Sequence, residues 1–236
     1  VVDYDRADVS LITAADIIGG VDAAQNRTGL SALQTVFGLY GFSPKIVVAP
    51  GYCTDATVAA EMIVVAESLR ADAYIDAPLG TSFTEALVGR GPGGNINFNT
   101  SSEAATLCWP HVRVADGQGG TKLEGMSARL AGLRARVDVE NGYHYSISNN
   151  ELRGVVNTEV PVQANLSDPK SDTNTLNAAG ITTIFNAYGT GFRVFGNRSA
   201  AFPTATAPTT FTAVRRTFDI VDESIEQAAL QHIDQP

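Results

Sequence analysis

The sequence predicts an α/β protein with a mainly parallel sheet flanked by helices, followed by a smaller α+β domain. With 44% hydrophobic and 17% charged residues, a chain of 236 residues can bury a core of its own. Strand-like and helix-like patterns alternate across residues 46–88, an order typical of parallel strands joined by helices. Two more strand patterns, separated by a glycine-rich turn, lie within residues 181–195 and predict an antiparallel hairpin.

The first half of the chain supplies the parallel strands and the helices that join them. Residues 46–49 form a continuous apolar run that ends at a Pro-Gly pair, as expected of a strand buried on both faces. Thr54 or Asp55 then caps a long helix. The inward stripe of this helix consists of Val58, Met62, Val65 and Leu69. The next strand is predicted at residues 73–76, and the next helix at residues 81–88.

Loops alternate with shorter elements in the middle of the chain. We predict loops at residues 89–99 and 117–122, because both stretches are rich in glycine. Strand-like runs occupy residues 104–108 and 111–114. A helix is predicted at residues 124–141. Its inward apolar positions are Leu130, Leu133 and Val137.

The last part of the chain is predicted to be α+β. A polar loop at residues 165–172 separates this part from the preceding elements. A short helix at residues 173–178 ends before Gly180, since glycine at this position suits a helix C-terminus. The two strands of the hairpin and the final helix are predicted at residues 181–186, 192–195 and 212–233.

Charge and hydropathy argue against two classes of partner. The formal charge is −9, so nucleic acid is not expected, because phosphate binding needs clustered Lys and Arg. No run of about 18 apolar residues is present, so no membrane partner is expected either. Arg129, Arg134 and Arg136 recur at helical spacing and indicate a solvated or interface face. Cys53 and Cys108 lack the spacing of a metal site, and we expect two buried free thiols.

No motif indicates a cofactor or a metal. Residues 89–94, Gly-Arg-Gly-Pro-Gly-Gly, match the G-x-G-x-x-G pattern of dinucleotide-binding folds. That pattern requires a strand before it and a helix after it, whereas here a predicted helix precedes it and Pro92 interrupts it. The scattered histidines, His111, His144 and His232, provide no set of metal ligands.

A serine hydrolase is the enzymatic alternative. The sequence Gly125-Met126-Ser127 opens a predicted helix and resembles the Gly-x-Ser turn that presents the nucleophile in subtilisin-type proteases. Asp76, at the end of a predicted strand, is a candidate for the remnant acid of a triad. A triad also needs a histidine that reaches the serine, and no histidine here has the His-Gly-Thr context found in subtilisins. We therefore expect Ser127 to cap its helix rather than to attack an acyl group.

An ordered series of short motifs runs nearly from end to end of the chain. The first motifs are Ile18-Gly19-Gly20-Val21-Asp22, Arg27-Thr28-Gly29-Leu30, Pro44-Lys45-Ile46-Val47-Val48-Ala49-Pro50-Gly51, Ala73-Tyr74-Ile75-Asp76-Ala77-Pro78 and Cys108-Trp109-Pro110-His111-Val112. The later motifs are Ser146-Ile147-Ser148-Asn149-Asn150, Leu176-Asn177-Ala178-Ala179-Gly180-Ile181-Thr182-Thr183, Phe195-Gly196-Asn197-Arg198-Ser199 and Val214-Arg215-Arg216. In this order, over roughly Asp16 to Leu230, the chain resembles the tail sheath proteins of contractile phage tails and related injection machines.

The resemblance implies a structural, self-assembling protein with a subtilisin-like but non-catalytic fold, and no enzyme, cofactor or metal. Copies of the intact subunit are expected to polymerise helically around the tail tube and to contract, driving the tube through the host envelope. The expected partners are other copies, the tail tube protein, and the baseplate and tail terminator proteins. The expected location is the virion tail, after assembly in the bacterial host cytoplasm.

The resemblance also implies how the chain is divided. We expect a connecting segment at residues 1–22, a subtilisin-like sheath domain at residues 23–166 and a truncated sheath C-terminal domain at residues 167–236. Both ends look like cuts through a longer protein. Because the arms that join neighbouring subunits in this family lie at the termini, we expect this fragment to be monomeric.

Several charged residues are candidates for ion pairs. We expect Asp138 to pair with Arg136, and Asp219 to pair with Arg215 and Arg216. The candidates for inter-subunit or structural contacts are Arg198, Arg215, Arg216 and Asp219. Two alternatives to the sheath function stay open at this point: a serine hydrolase that uses Ser127, and a static virion or adhesin module that does not contract.

Overall fold

The computed structural model describes residues 11–233. Its helices are α1 (Ala14–Ile18), α2 (Val36–Tyr40), α3 (Ala56–Leu69), α4 (Phe83–Val88), α5 (Met126–Glu140), α6 (Asp172–Ala178) and α7 (Thr212–Ala229). Its strands are β1 (Ile46–Val48), β2 (Asp72–Asp76), β3 (Ala105–Cys108), β4 (Val112–Ala115), β5 (Thr121–Glu124), β6 (Val155–Thr158), β7 (Ile181–Asn186) and β8 (Phe192–Phe195). Short 3-10 segments lie at Gly29–Thr35, Pro208–Thr210 and Leu230–His232.

The main sheet has five strands in the order β1-β2-β3-β7-β8. The first four strands are parallel, and β8 runs antiparallel to β7. This arrangement confirms the predicted α/β class with a mainly parallel sheet. The predicted helix cap is confirmed at Asp55, whose carboxylate accepts hydrogen bonds from the backbone N–H groups of Thr57 and Val58 at 2.8 and 3.2 Å.

Helices cover both faces of the main sheet. Alternate residues of β2 point to opposite faces, and the residues on each face pack into a different core cluster. Ile75 packs among residues of α3 and α6, and Tyr74 packs against residues of α5. The inward apolar stripes predicted for α3 and α5 are buried, as expected.

A second sheet of three antiparallel strands has the order β5-β4-β6. Its strand β5 corrects our prediction of a loop across residues 117–122. Residues Thr121–Glu124 pair with β4 in the register Ala115↔Thr121 to Val112↔Glu124, and only the turn before them is irregular. The strand was missed because its side chains are exposed or half-buried, which removes the alternation of apolar and polar residues that marks a strand.

The main sheet combines strands from before and after the loop at residues 165–172. Strand β7 pairs in parallel with β3 in the register Leu107↔Ile181 and Cys108↔Thr182. Ile181 and Ile184 are buried on opposite faces of the sheet. The boundary predicted between residues 166 and 167 therefore separates two stretches of sequence that share the main sheet.

The start of the described chain packs on the sheet domain. Helix α1 lies within the predicted connecting segment 1–22 and begins with a capping box between Thr13 and Asp16. Its Ile17 is buried in the same cluster as α3. Residues 1–10 of the predicted segment lie outside the described residues.

Candidate functional site

Three polar side chains point from one face of β2 toward α5. Asp72, Tyr74 and Asp76 alternate along the strand and are 3%, 0% and 2% exposed. Burying a polar side chain destabilises the fold unless the side chain forms hydrogen bonds or ion pairs. The contacts of these three residues therefore determine the cost of burying them. Helix α5 meets this face with Ser127 near its start and with Arg134 two turns later.

Asp76 binds the first turn of α5. The Ser127 N–H donates to Oδ1 of Asp76 at 2.8 Å, and the Ser127 hydroxyl donates to Oδ2 at 2.5 Å. Our prediction that Ser127 caps its helix is therefore wrong, since Gly125 occupies the N-cap position and Ser127 lies inside the helix. A carboxylate from the neighbouring strand satisfies the free N–H group and complements the positive end of the helix dipole.

Cys53 completes the surroundings of Asp76. The Cys53 thiol lies 3.6 Å from Oδ2 of Asp76, and its sulfur accepts the Asp76 N–H at 3.4 Å. Burial raises the pKa of Asp76, while the hydrogen bonds from Ser127 lower it. Burial and the charge of Asp76 raise the pKa of Cys53 to about 12. Cys53 and Cys108 are both free and buried, which confirms the prediction for the two thiols.

The Asp76–Ser127 pair lacks the third member of a triad. His111 lies against Glu159, with 3.3 Å between Nδ1 and Oε2, and His144 packs against the ring of Tyr145. Within residues 11–233, no histidine hydrogen-bonds to Ser127. The pair therefore lacks the histidine that acts as general base in a serine triad, and both of its side chains are buried.

Helix α7 is fixed to α5 by a bidentate ion pair. Arg216 donates from Nη1 and Nη2 to the two carboxylate oxygens of Asp138 at 2.9 and 2.6 Å. The side chains of Arg216 and Asp138 are 8% and 13% exposed, so the pair is largely shielded from water. A planar guanidinium that meets a carboxylate with two parallel hydrogen bonds is both strong and directional.

The ion pairs predicted for Asp138 and for Arg216 need correction. Asp138 pairs with Arg134 and Arg216, and Arg136 instead donates to the backbone oxygen of Glu151 at 2.9 Å. Residues two positions apart point to different sides of a helix, whereas residues four apart share a side, so Arg134 reaches Asp138 and Arg136 does not.

The carboxyl group of Asp72 is buried near Arg216 and Arg134. Asp72 accepts a hydrogen bond from the Thr106 hydroxyl at 3.1 Å. Burial raises the pKa of Asp72 to about 6, although the charges of Arg216 and Arg134 act in the opposite direction. Burial also raises the pKa of Tyr74, and the Asp72 charge adds to that rise. Arg216 and Arg134, with a smaller contribution from Arg215, thus place positive charge near Asp72 that opposes the effect of its burial.

Three further ion pairs involve α7. Arg215 pairs with Asp219 at 3.4 Å, as predicted, because the two lie one turn apart. Lys45 pairs with Glu223 at 2.9 Å, and Arg70 with Glu226 at 2.5 Å. These last two pairs join the end of α7 to the start of β1 and to the end of α3. Asp219 bonds to Arg215 and not to Arg216, whose side chain turns toward α5.

Arg198 lies between two aromatic rings. Its guanidinium carbon is 4.1 Å from the ring centre of Phe202 and 3.8 Å from that of Phe211. Nη1 also donates to the Thr210 hydroxyl at 3.3 Å. Stacking on two rings fixes the side chain by cation–π attraction. Arg198 therefore ties the segment after β8 to the start of α7 within the subunit.

Arg90 is a structural residue that the sequence patterns did not reveal. Its five N–H donors reach five backbone carbonyls: Ala179 and Phe98 at 2.9 and 2.6 Å, Thr100 at 2.8 Å, and Ala200 and Phe202 at 2.6 and 2.9 Å. Arg90 thus holds the backbones of several loops together. A Cβ on Gly94 would lie 2.4 Å from the Cα of Gly89, so the glycines permit a tight turn. The one feature of the sequence that could have indicated this role is an arginine within a glycine-rich loop.

Neither a metal centre nor a bilayer-crossing helix is found in the described part of the chain. No cluster of three or more His, Cys, Asp or Glu side chains within residues 11–233 has the arrangement of a metal site. No helix among these residues combines the length and the apolar character that crossing a bilayer requires.

The sequence matches a family model described as the phage tail sheath protein central domain, over residues 18–200. It is 52% identical over 234 residues to the tail sheath protein of Burkholderia phage BcepMu, covering 99% of this chain and 49% of that protein. It is 30% identical over 225 residues to the tail sheath protein of Escherichia phage P2, covering 95% of this chain and 54% of that protein.

Solved structures of contractile particles share the fold. The helical sheath of the anti-feeding prophage in its contracted state matches with a TM-score of 0.63 and 22% identity, covering 88% of this chain and 52% of that chain. The contracted sheath complex of the extracellular contractile injection system PVC matches with a TM-score of 0.65 and 18% identity, covering 89% and 53%. At this identity, these likenesses show the fold alone.

The matched region is one part of a larger protein in the relatives. The chain spans about half the length of the curated relatives named above. The family model nevertheless covers most of this chain, and the relatives align with it almost from end to end. The chain therefore belongs to the phage tail sheath protein family, a family of structural proteins.

Proposed function

We propose that this chain is part of the structural subunit of a contractile tail sheath. The subunit polymerises helically around a tail tube and contracts to drive the tube through the host envelope, without an enzymatic step. The observation that carries this proposal is the 52% identity to a tail sheath protein over 99% of the chain. The fold shared with two contracted sheaths supports it.

The energy for contraction does not require bound nucleotide in this proposal. A subunit that makes one set of contacts in an extended lattice and more stable contacts in a contracted lattice releases the difference in free energy when it moves. Contacts of this kind are heterologous and build open helical arrays rather than closed rings. The buried pairs Asp76–Ser127 and Arg216–Asp138 suit such a subunit, because they keep it rigid while its outer contacts change.

The proposed partners follow from the same family. They are other copies of the protein, the baseplate, the tail tube protein and the tail terminator protein. One structural neighbour comes from a baseplate, that of the anti-feeding prophage. We place the assembled protein in the tail of a phage or related particle, after assembly in the bacterial host cytoplasm.

Within this proposal, the candidate residues fall into two groups. Arg216 and Arg198 act as structural residues, because their side chains are occupied by Asp138 and by two aromatic rings of the same subunit. Arg215 and Asp219 line an open groove and are candidates for contacts with another surface.

We keep the division at residues 22 and 166 as a proposed division of the sequence, with β7 contributing to the main sheet.

Electron microscopy of the purified full-length protein tests the proposal. The full-length protein is expected to form tubes with a helical repeat, while the 236-residue chain prepared in the same way is expected to remain monomeric. Failure of the full-length protein to form tubes, alone or with its tail tube, would sink the sheath proposal. Stable tubes formed by the 236-residue chain would contradict the expectation that this part is monomeric.

A static virion module is the alternative within the structural class. It differs from a sheath in one measurable property, because a static module forms a lattice of a single length. Tubes of two discrete lengths and diameters for the same number of subunits support a contractile sheath.

A further inference from the structure

Helix α7 exposes a stripe of large apolar side chains. Phe218, Val221 and Ile225 are 56%, 49% and 61% exposed, although all three lie within the helix. We propose that this stripe is the docking surface for a second amphipathic helix, which belongs to the same full-length polypeptide and carries Lys or Arg beside its own apolar stripe. This inference does not depend on contraction or on tube formation.

The spacing of the stripe is that of helix-to-helix packing. The positions Val214, Phe218, Val221, Ile225 and Ala228 follow one another at intervals of four, three, four and three residues. This alternation keeps the five apolar side chains on one side of α7, which we call the seam, and it is the pattern by which two helices interlock.

The opposite side of α7 already holds the helix on the body of the subunit. Arg216 and Glu223 lie seven positions apart on the side facing away from the seam, and they pair with Asp138 and Lys45. Glu226 adds a pair with Arg70. An amphipathic helix usually packs its apolar stripe on its own core and leaves its charges in water. From Phe218 onward, α7 instead turns charged side chains toward the body of the subunit and leaves its large apolar side chains exposed. The seam therefore faces away from the body.

The rim of the seam is acidic. A groove of about 490 Å³ beside Phe218 is lined by Glu67, Glu103, Asp219 and Arg215 among others, and Asp222 lies one turn after Asp219. Arg215 is already paired with Asp219. No salt bridge joins Glu67, Glu103 or Asp222 to a cation elsewhere in residues 11–233. A docking helix with basic side chains next to its apolar stripe would therefore complement this rim.

The length of the relatives favours a source for that helix within the same polypeptide. The relatives contain about as many residues outside the matched part as within it. Three large apolar side chains in one row, each about half exposed, form a patch that favours aggregation if it stays uncovered. A segment of the same polypeptide covers the seam as the subunit folds, whereas a neighbouring copy covers it only after assembly.

A paired stability measurement tests the proposal. The double variant Phe218→Ser/Ile225→Ser is made in the 236-residue chain and in the full-length protein, and thermal unfolding of each is followed. The variant is expected to leave the Tm of the 236-residue chain within about 1 °C and to lower that of the full-length protein by about 5 °C or more. The matched control, Val139→Ser/Tyr188→Ser, changes side chains that are 88% and 102% exposed elsewhere. The control is expected to leave both proteins unchanged.

Hydrogen exchange shows whether the seam is buried by the same polypeptide or by a neighbouring copy. In the unassembled full-length subunit, isolated by size exclusion, the backbone of residues 218–229 is expected to exchange at least about tenfold more slowly than in the 236-residue chain. Protection that appears only after polymerisation would assign the seam to a neighbouring copy and overturn the proposal. Equal exchange in all states, or equal Tm changes in both chains, would also overturn it. Tube formation, scored separately by microscopy, has no bearing on the exchange of the unassembled subunit.

Discussion

Gly125 leaves the space that the carboxylate of Asp76 occupies at the start of α5. A Cβ on residue 125 would lie 2.1 Å from Oδ2 and 2.7 Å from Cγ of Asp76. The backbone of Gly125, with φ −60° and ψ 143°, suits any residue. The glycine is therefore required by the close approach of Asp76 and not by its own conformation.

Replacing Gly125 with alanine is expected to destabilise the protein. The added methyl group pushes the Asp76 carboxylate away from Ser127, so we expect a loss of about 2 kcal/mol in the free energy of unfolding, measured in urea. The control is Gly132→Ala in the same helix, where a Cβ meets nothing within 4 Å. That change is expected to stabilise the helix by up to about 1 kcal/mol. Similar values for the two variants would contradict the role given to Gly125.

Replacing Arg90 is expected to cost more than any exposed charge change. In Arg90→Met the five carbonyls lose their donors, so we expect a loss of about 4 kcal/mol or a failure to fold. Arg90→Lys keeps some of the hydrogen bonds and is expected to fall between that variant and the natural protein. Arg153→Met, at an exposed position, is the control and is expected to change stability by less than about 0.5 kcal/mol. Thermal unfolding of all three variants makes the comparison, and equal Tm values would exclude a structural role for Arg90.

The pair Arg216–Asp138 is expected to show strong coupling in a double-mutant cycle. The single change Arg216→Met leaves a buried carboxylate with only the longer contact to Arg134, and we expect a loss of about 3 kcal/mol. With Asp138→Asn as the second change, the coupling energy is expected to be about 2 kcal/mol. The pair Lys45–Glu223, whose side chains are 21% and 34% exposed, is the control and is expected to couple by less than about 1 kcal/mol. Equal coupling in both cycles would show that Arg216 contributes no more than a surface pair.

The limits of sequence analysis follow the distance between partners along the chain. The strands β1 to β3, the helix α3 and the i,i+4 pair Arg215–Asp219 were predicted, because each depends on neighbouring residues or on a local apolar period. Arg216 and Asp138 are 78 positions apart, and the carbonyls that bind Arg90 come from residues up to 112 positions away. Such contacts exist only once the sheet has aligned its strands. The interpretation of Asp76 as a remnant acid placed it correctly at the end of β2. Its direct contact with Ser127 at the start of α5 was not predicted, since the two residues are 51 positions apart.

The buried carboxyl group of Asp72 is expected to make stability depend on pH. Its pKa is raised from 3.8 to about 6, so between these values the folded protein holds a proton that the unfolded chain has lost. The contribution of Asp72 therefore becomes less favourable as pH rises through this window, by about 3 kcal/mol in total. Asp72→Asn keeps an acceptor for the Thr106 hydroxyl but cannot ionise. We expect this variant to gain stability relative to the natural protein as pH rises from about 4 to about 7. Urea unfolding across this range measures the gain, with the exposed change Glu140→Gln as the control. A difference between Asp72→Asn and the natural protein that does not change with pH would show that Asp72 is ionised in the fold, neutralised by Arg134 and Arg216.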